Sequence, residues 1–256
     1  MNHHSGDKEN LIFNLRSREY HGSLPLFYSA DDFPELNVLK NNWQTIFREI
    51  QDYESKYGSI SGINTLSPPG LSSTNAWNNI YLENFLWQFH ANRKYFPETC
   101  KVLAQIPGCT LAVITVLSPH GSIEPHYGDT NAVIRCHLGL QIPAPYPACG
   151  IRVGNQEQGW KNGELTVFSE AHYHHVWNRT NEKRYLLVVD IVHPKWSREK
   201  EWICARVLGA QSYIFFEKRI PFLQKLPYSL LAPIHFIFSL IWRVYLPIQR
   251  KMGFLY

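Results

Sequence analysis

The sequence lacks several features that mark large classes of proteins. Its five cysteines are odd in number and form no C-x-x-C pair, so we expect free thiols in a reducing compartment. The first residues, MNHHSGDKENLIF, contain no apolar run of the signal-peptide type, and we expect no secretory signal. The net charge is only +4, with basic residues scattered until the C-terminal end, which argues against a nucleic-acid groove. A cytoplasmic location is favoured.

The composition indicates one globular unit. At 256 residues, with 45% apolar and 18% charged residues, the chain is long enough for one full core with an appended segment. No internal repeat is visible. We divide the chain into a polar segment at 1–24, a central domain at 25–197 and an apolar, basic-flanked tail at 198–256.

Helical patterns come first along the chain. Apolar residues recur at helical spacing between Ala30 and Lys56, which predicts an amphipathic helix, and a second helical stretch covers Glu98–Ile106. Gly58–Asn75 is dense in Gly, Ser and Pro and is typical of a loop.

After the second helical stretch, and up to about Pro194, the sequence consists of short runs rich in β-branched residues, without helical spacing of the apolar residues. They are CTLAVITVLSP, NAVIRCHLGLQIP, CGIRVGN, GELTVFSE, HHVWN and KRYLLVVDIVHP. Such runs, separated by Gly, Pro and Asn, indicate an antiparallel sandwich or barrel.

Two histidines lie at the ends of predicted strands. His126 comes just before one strand and His174 just after another. Two histidines far apart in sequence, on neighbouring strands of a jelly roll, can form a mononuclear iron site with open positions. The alternative is that both are surface or hydrogen-bonded core histidines.

Two arginines strengthen the hypothesis of a metal site. Arg184 begins the apolar strand RYLLVVDIV, and Arg135 lies inside AVIRCHLGL. Burying an arginine is costly unless it meets a carboxylate, and its planar fork suits a dicarboxylate ligand. Two imidazoles with an arginine clamp describe a site for iron and 2-oxoglutarate.

Five ordered motifs carry a family resemblance from about Phe27 to Pro194. They are FPELNVLKNNWQTIFREI, SPHGSIEPHYGDTN, IRCHLGL, ELTVFSEAHYHHVWN and RYLLVVDIVHP. The chain resembles the aspartyl/asparaginyl beta-hydroxylase family of iron(II)- and 2-oxoglutarate-dependent oxygenases. The resemblance implies a mainly β fold with flanking helices around a double-stranded β-helix, the jelly-roll core.

The resemblance implies that His126 and His174 are the iron ligands. Gly128 stands where most 2-oxoglutarate oxygenases have a third, acidic ligand, so water would take that place. Asp129 is adjacent, but a shift of one residue in a strand turns its side chain to the other face. Two neighbouring histidines could compete with His174, which alone lies in the register of the motif: His172 and His175.

The resemblance also implies a pocket for the co-substrate. Arg184 would bind the distal carboxylate of 2-oxoglutarate, with Thr115 beside it. Arg135 and His137 match polar positions that line the same pocket. Glu170 is expected either to support the metal site or to face solvent.

The C-terminal tail allows two interpretations. Leu226–Ile248 is almost long enough to span a bilayer and contains one full charge, Arg243. Its prolines and flanking basic residues favour a segment lying in a membrane interface. Alternatively, the tail packs on the β domain or forms a dimer contact.

The sequence therefore predicts a 2-oxoglutarate-dependent dioxygenase that uses Fe(II) and O2. The family name favours an aspartyl or asparaginyl β-carbon as the target, while the apolar tail fits a lipid A-type acyl chain. Val133 supplies no second arginine near Arg135, which weakens the case for an acidic side chain. The alternative outside enzymes is a jelly roll that only binds a metal or a dicarboxylate.

Overall fold

The computed structural model describes residues 10–16, 19–60 and 76–252. Most of the predicted loop at Gly58–Asn75 lies outside these residues, as do His3 and His4.

Eleven strands are present in the described part of the chain. They are β1 (Phe27–Tyr28), β2 (Trp77–Asn84), β3 (Trp87–Gln88), β4 (Cys109–Leu117), β5 (Ser122–His126), β6 (Val133–Gln141), β7 (Cys149–Val153), β8 (Gln156–Gln158), β9 (Leu165–Phe168), β10 (His174–Asn178) and β11 (Arg184–Val192).

Six α-helices flank these strands in the same described ranges. They are α1 (Asn37–Tyr57), α2 (His90–Arg93), α3 (Pro97–Leu103), α4 (Lys200–Glu217), α5 (Pro221–Gln224) and α6 (Tyr228–Met252).

The strands form two antiparallel sheets. The large sheet has the order β1-β9-β6-β11-β4-β2-β3, and the small sheet has the order β5-β10-β7-β8. Strands β4 to β11 are thus divided between two facing sheets, which is the double-stranded β-helix that the family resemblance implies. All six β-branched runs singled out in the sequence are strands.

Both faces of the large sheet are covered. Every residue of β4 and of β11 is buried, which explains why both read as continuous apolar runs. One face packs against α1 and α3, and the other encloses the jelly-roll interior with the small sheet. The interior face is the one that can hold a site.

The two predicted helices are present but shorter than expected. Two turns of 3-10 helix, at Ala30–Asp32 and Pro34–Leu36, precede α1, which begins at Asn37. Pro34 explains the delay, because the residue before a proline disfavours the α conformation. The second helix occupies Pro97–Leu103 and ends before the Pro107 turn.

The tail forms a helical hairpin that packs on the jelly roll. Helix α4 supplies buried apolar residues to the interior cluster, and α6 runs along α4. All five cysteines are free thiols, four of them buried.

Candidate functional site

The two predicted metal ligands face each other across the small sheet. His126 ends β5 and His174 begins β10, and the two are directly paired in the antiparallel register. Their ring centroids lie 4.3 Å apart. Strand pairing alone therefore brings together two histidines that lie 48 positions apart in the sequence.

Backbone carbonyls fix the tautomer of both imidazoles. Nδ1 of His126 lies 2.8 Å from the carbonyl oxygen of Glu124, and Nδ1 of His174 lies 2.8 Å from that of His172. Because a carbonyl oxygen only accepts, each Nδ1 carries the proton. Each Nε2 is left with a free lone pair, the arrangement found in metal-binding histidines.

Burial keeps both imidazoles neutral. Burial lowers the pKa of His126 below its ordinary value, and Arg135 adds to this effect. Burial also holds the pKa of His174 well below the usual range, with further lowering from the neighbouring His126. Neutral imidazole is the form that binds a metal ion.

Neighbouring polar groups do not complete a three-residue metal cluster within the described ranges. His172 directs Nε2 to the carbonyl oxygen of Leu24, at 2.8 Å. A Cβ atom on Gly128 would lie 2.6 Å from Cδ of Glu170, so position 128 has no room for a ligating side chain. Asp129 accepts a hydrogen bond from Gln211 at 3.2 Å. The arrangement fits a metal ion held by two imidazoles.

Arg184 is buried and has no carboxylate partner among the residues that the structure describes. Its side chain is 1% exposed, and Nε and Nη1 make no hydrogen bond in the described structure. The guanidinium carbon lies 5.0 Å from the ring centre of Trp160. Burial lowers the pKa of Arg184 to about 10. A cation left unpaired in the interior is costly, so this group suits an acidic ligand.

A row of rings leads from the histidine pair to Arg184. Phe168 lies 5.6 Å from His174 and 4.9 Å from His137 between ring centroids. His137 in turn lies 5.9 Å from Trp160, which stacks under Arg184. The structure thus brings the predicted ligands, His137 and Arg184 into one interior.

Thr115 and His137 both face this interior. Thr115 pairs with Leu186 across β4 and β11, two pairs away from Arg184, and its Oγ1 accepts a hydrogen bond from Trp77 at 2.6 Å. The Thr115 hydroxyl proton remains available for donation. Nδ1 of His137 accepts from Trp160 at 3.3 Å, so the ring proton of His137 lies on Nε2.

Arg135 has a different environment from the one expected. Its Nε and Nη2 bind both carboxylate oxygens of Asp190, at 2.8 and 2.7 Å, and Nη2 also forms an ion pair with Glu170. Burial raises the pKa of Glu170 well above its ordinary value and also raises the pKa of Asp129 nearby. Protein carboxylates therefore already occupy the fork of Arg135.

Three of the residues that shape this interior were missed or misread in the sequence. Glu170 is fully buried, so the option that it faces solvent is wrong. Trp160 looks like an ordinary core residue, yet it forms the platform beneath Arg184. Asp190 is a single acid in an otherwise apolar strand. That unusual position was the feature of the sequence from which its buried role could have been predicted. His175, by contrast, is partly exposed on β10.

Comparisons with known proteins show which family the chain belongs to. A model of the family "Aspartyl/Asparaginyl beta-hydroxylase" matches residues 40–194. An ornithine lipid ester-linked acyl 2-hydroxylase of Rhizobium tropici is 30% identical over 172 residues, covering 66% of this chain and 61% of the relative. Aspartate beta-hydroxylase domain-containing protein 2 of Homo sapiens is 32% identical over 181 residues, covering 66% and 47%.

The chain spans less than two thirds of the length of these relatives. Among solved structures, a prolyl-4-hydroxylase of Pseudomonas putida is 13% identical and has a TM-score of 0.41, covering 60% of this chain and 87% of its own. The family model alone covers more than half of the sequence and ends at Pro194, as the motifs do. The chain belongs to the aspartyl/asparaginyl beta-hydroxylase family.

Proposed function

We propose that the chain is an iron(II)- and 2-oxoglutarate-dependent dioxygenase that hydroxylates an unactivated carbon atom. The observation that supports this most is the unpaired guanidinium of Arg184, buried at the end of a row of rings that starts at two neutral imidazoles. A dicarboxylate would supply the missing partner of Arg184 and still present its other end to the histidines.

Each residue has a distinct role in this proposal. His126 and His174 would hold iron(II) through Nε2, and water would take the place of a third protein ligand because Gly128 has no side chain. Iron and 2-oxoglutarate, when bound, supply the oxidising chemistry: one atom of O2 enters the substrate and the other enters succinate as CO2 leaves. Arg184 would bind the distal carboxylate in a bidentate manner.

Two further side chains would orient the co-substrate. The hydroxyl group of Thr115, held by Trp77, would donate a hydrogen bond to the carboxylate at Arg184. The Nε2 proton of His137 would donate within the same interior. Burial holds the pKa of His137 well below its usual range, so this imidazole stays a neutral donor.

Apolar walls would keep bulk water out of the interior. Val113, Leu186 and Val188 lie on the inner face of the large sheet and are all buried. They oppose Ile151 and Val153 of the small sheet. Excluding water strengthens the ionic contact at Arg184 and limits side reactions of the oxidant.

We propose that the substrate is a lipid acyl chain, in preference to an aspartyl or asparaginyl side chain. An acidic substrate needs a free cation, and both oxygens of Asp190 together with Glu170 already engage Arg135. The name of the Rhizobium tropici relative, an acyl hydroxylase, supports the same choice. The names of other relatives support aspartyl β-hydroxylation, which is therefore the second candidate.

The test is succinate production from 2-oxoglutarate under iron(II) and O2. We expect one succinate per hydroxylated product, with product gaining one oxygen atom by mass spectrometry of lipid and peptide extracts incubated with the protein. His126→Ala and His174→Ala should each lower iron affinity by more than about 100-fold, because half of the protein ligands are removed.

His175→Ala is the matched control, since this residue neighbours His174 in β10 but is directed away from the pair. It should retain iron and turnover. Absence of succinate from the iron-loaded wild-type protein, with binding of 2-oxoglutarate retained, would instead favour a non-enzymatic binding jelly roll.

A further inference from the structure

The C-terminal hairpin presents an apolar surface to solvent. Eleven of the fifteen exposed large hydrophobic residues in the described chain lie in this hairpin. They are Phe215, Phe216, Ile220, Phe222, Leu230, Phe236, Ile237, Leu240, Ile241, Val244 and Ile248. We call this set the apolar face. Contiguous apolar surface of this kind marks an interaction site.

The opposite side of α6 is fixed to the protein along its length. His235 bonds the carbonyl oxygen of Arg206 at 2.7 Å, and Trp242 donates to Ser212 at 2.8 Å. Near the end of α6, Gln249 exchanges two hydrogen bonds with the backbone of Gln88 in β3.

These contacts decide how α6 can meet a bilayer. Ser229–Lys251 is long and apolar enough to cross a membrane by length and composition. A spanning helix would have to leave its partners in α4 and β3, including the buried hydrogen bonds of His235 and Gln249. Lying flat, α6 keeps these bonds and still inserts its free side, as interfacial helices do.

The charges around the apolar face are predominantly positive. From residue 215 to residue 252 the sequence has six Lys or Arg and one acid, Glu217. Arg16 forms an ion pair with Glu217 at 2.7 Å, and Glu201 pairs with Arg243. A second copy of the chain would bring like charges together, whereas anionic lipid headgroups complement them.

The same hairpin adjoins the metal site. Gln211 of α4 donates to Asp129, three residues after His126. Asn14 donates to the carbonyl oxygen of Gly128 at 3.0 Å, and two residues later Arg16 contacts Glu217 at the end of α4. Two residues span at most about 7 Å, so the loop after His126 lies close to one end of the apolar face.

We propose that the apolar face is a monotopic docking surface for an anionic bilayer, on which α6 lies flat beside the entrance to the metal site. Docking does not depend on the hydroxylase activity proposed above. If both hold, an acyl chain would pass from the bilayer to the histidine pair without crossing bulk water.

Vesicle co-sedimentation tests this surface on the full chain. Wild-type protein should pellet with vesicles of phosphatidylglycerol and phosphatidylcholine, and added salt should weaken binding. Ile241→Glu and Val244→Glu should each reduce the partition coefficient about tenfold or more, since an apolar side chain is withdrawn from lipid. Tyr57→Glu is the control, being an exposed hydrophobic residue outside the hairpin.

Other outcomes distinguish the alternatives. A full-length protein that stays in the supernatant with anionic vesicles would overturn the proposal. So would a dimer by light scattering that Ile241→Glu converts to a monomer, because the face would then bind a second copy. Resistance to alkaline carbonate extraction would show a spanning helix instead. If the Glu variants fold poorly, the combined Lys218→Gln, Arg219→Gln and Lys225→Gln variant should lose the preference for anionic vesicles.

Discussion

Two guanidinium groups, that of Arg135 partly buried and that of Arg184 fully buried, lie on neighbouring strands of the large sheet, and their surroundings differ. Arg135 on β6 has Asp190 opposite it on β11, with Glu170 alongside. Arg184, at the start of β11, has an aromatic ring beneath it and no carboxylate within the described chain. Burial alone lowers the pKa of Arg184, whereas at Arg135 the carboxylates outweigh burial and raise the pKa.

The difference separates a structural cation from one prepared for a ligand. The charge of Arg135 is neutralised by the protein itself, so it contributes to the folded state at all times. Under the proposed function, the charge of Arg184 would be neutralised only when an acid arrives from solution, so its stabilisation would be deferred to binding. Substitutions at these two positions should therefore act on different measurements.

The largest effect is expected from Asp190→Asn. Removing this carboxylate leaves Arg135 with one poorly bonded acid, and loss of one partner from a buried pair costs about 3–5 kcal/mol of the free energy of unfolding. Urea denaturation measures this loss. Glu98→Gln is the control, because its pair with Lys101 is exposed, and it should change the free energy of unfolding little. A loss in Asp190→Asn no larger than that in Glu98→Gln would show that Arg135 does not depend on its carboxylate partner.

Arg184→Met should separate folding from ligand binding. The ligand-free variant should be at least as stable as the wild type, because an unpaired buried charge is removed. At 2-oxoglutarate concentrations near 100 times the dissociation constant, the free energy of unfolding of the wild type should rise by about 2.7 kcal/mol. That of the variant should not change. Thermal denaturation with and without 2-oxoglutarate, under Mn(II), measures both quantities.

The control for this variant is Arg179→Met. Arg179 also stacks on a tryptophan, at 5.3 Å from the ring of Trp177, but it is exposed. It should keep the full response to 2-oxoglutarate. Equal stabilisation of Arg184→Met and wild type would remove Arg184 from the co-substrate site.

The smallest effect is expected from His137, because the positive charges of both arginines disfavour its protonation. Burial, then Arg184, then Arg135 lower the pKa of His137 well below 6.5. Below pH 6.5 the unfolded chain binds a proton that folded His137 does not, so stability falls with decreasing pH by up to about 1.4 kcal/mol per unit. His137→Gln should reduce this slope, as measured by unfolding between pH 6.5 and 4.5.

An unaltered slope in His137→Gln would mean that this imidazole takes up a proton in the folded state. It would then not act as a neutral donor in the site.

The strands of the jelly roll were predictable because their residues are buried on two sides. The runs that became β4, β6 and β11 consist mainly of β-branched and apolar residues, which is the pattern of doubly covered strands. Strands β2 and β8 escaped notice, since WNNIYLEN and QEQ contain several polar residues. Their pairing depends on neighbours in the sheet and not on local preference.

The site was predictable in its residues and not in its charges. The positions of His126, His174 and Arg184 follow from strand ends and from motifs of the family. That Arg135 meets Asp190 depends on the register between β6 and β11, over 55 positions of sequence, which composition does not encode. The exposed side of α6 likewise could not be predicted, because the sequence does not show which face of the helix packs on α4.

The contact between Arg16 and Glu217 also sets an order of assembly during synthesis. Strands β4 to β11 can pair as soon as they leave the ribosome, because their connections are short. Arg16 has to wait for its partner in a helix that is made 201 residues later. Contacts of such long sequence separation form slowly. The contacts of Arg16 with the end of α4 are therefore among the last in the molecule to form, after the jelly-roll scaffold is complete.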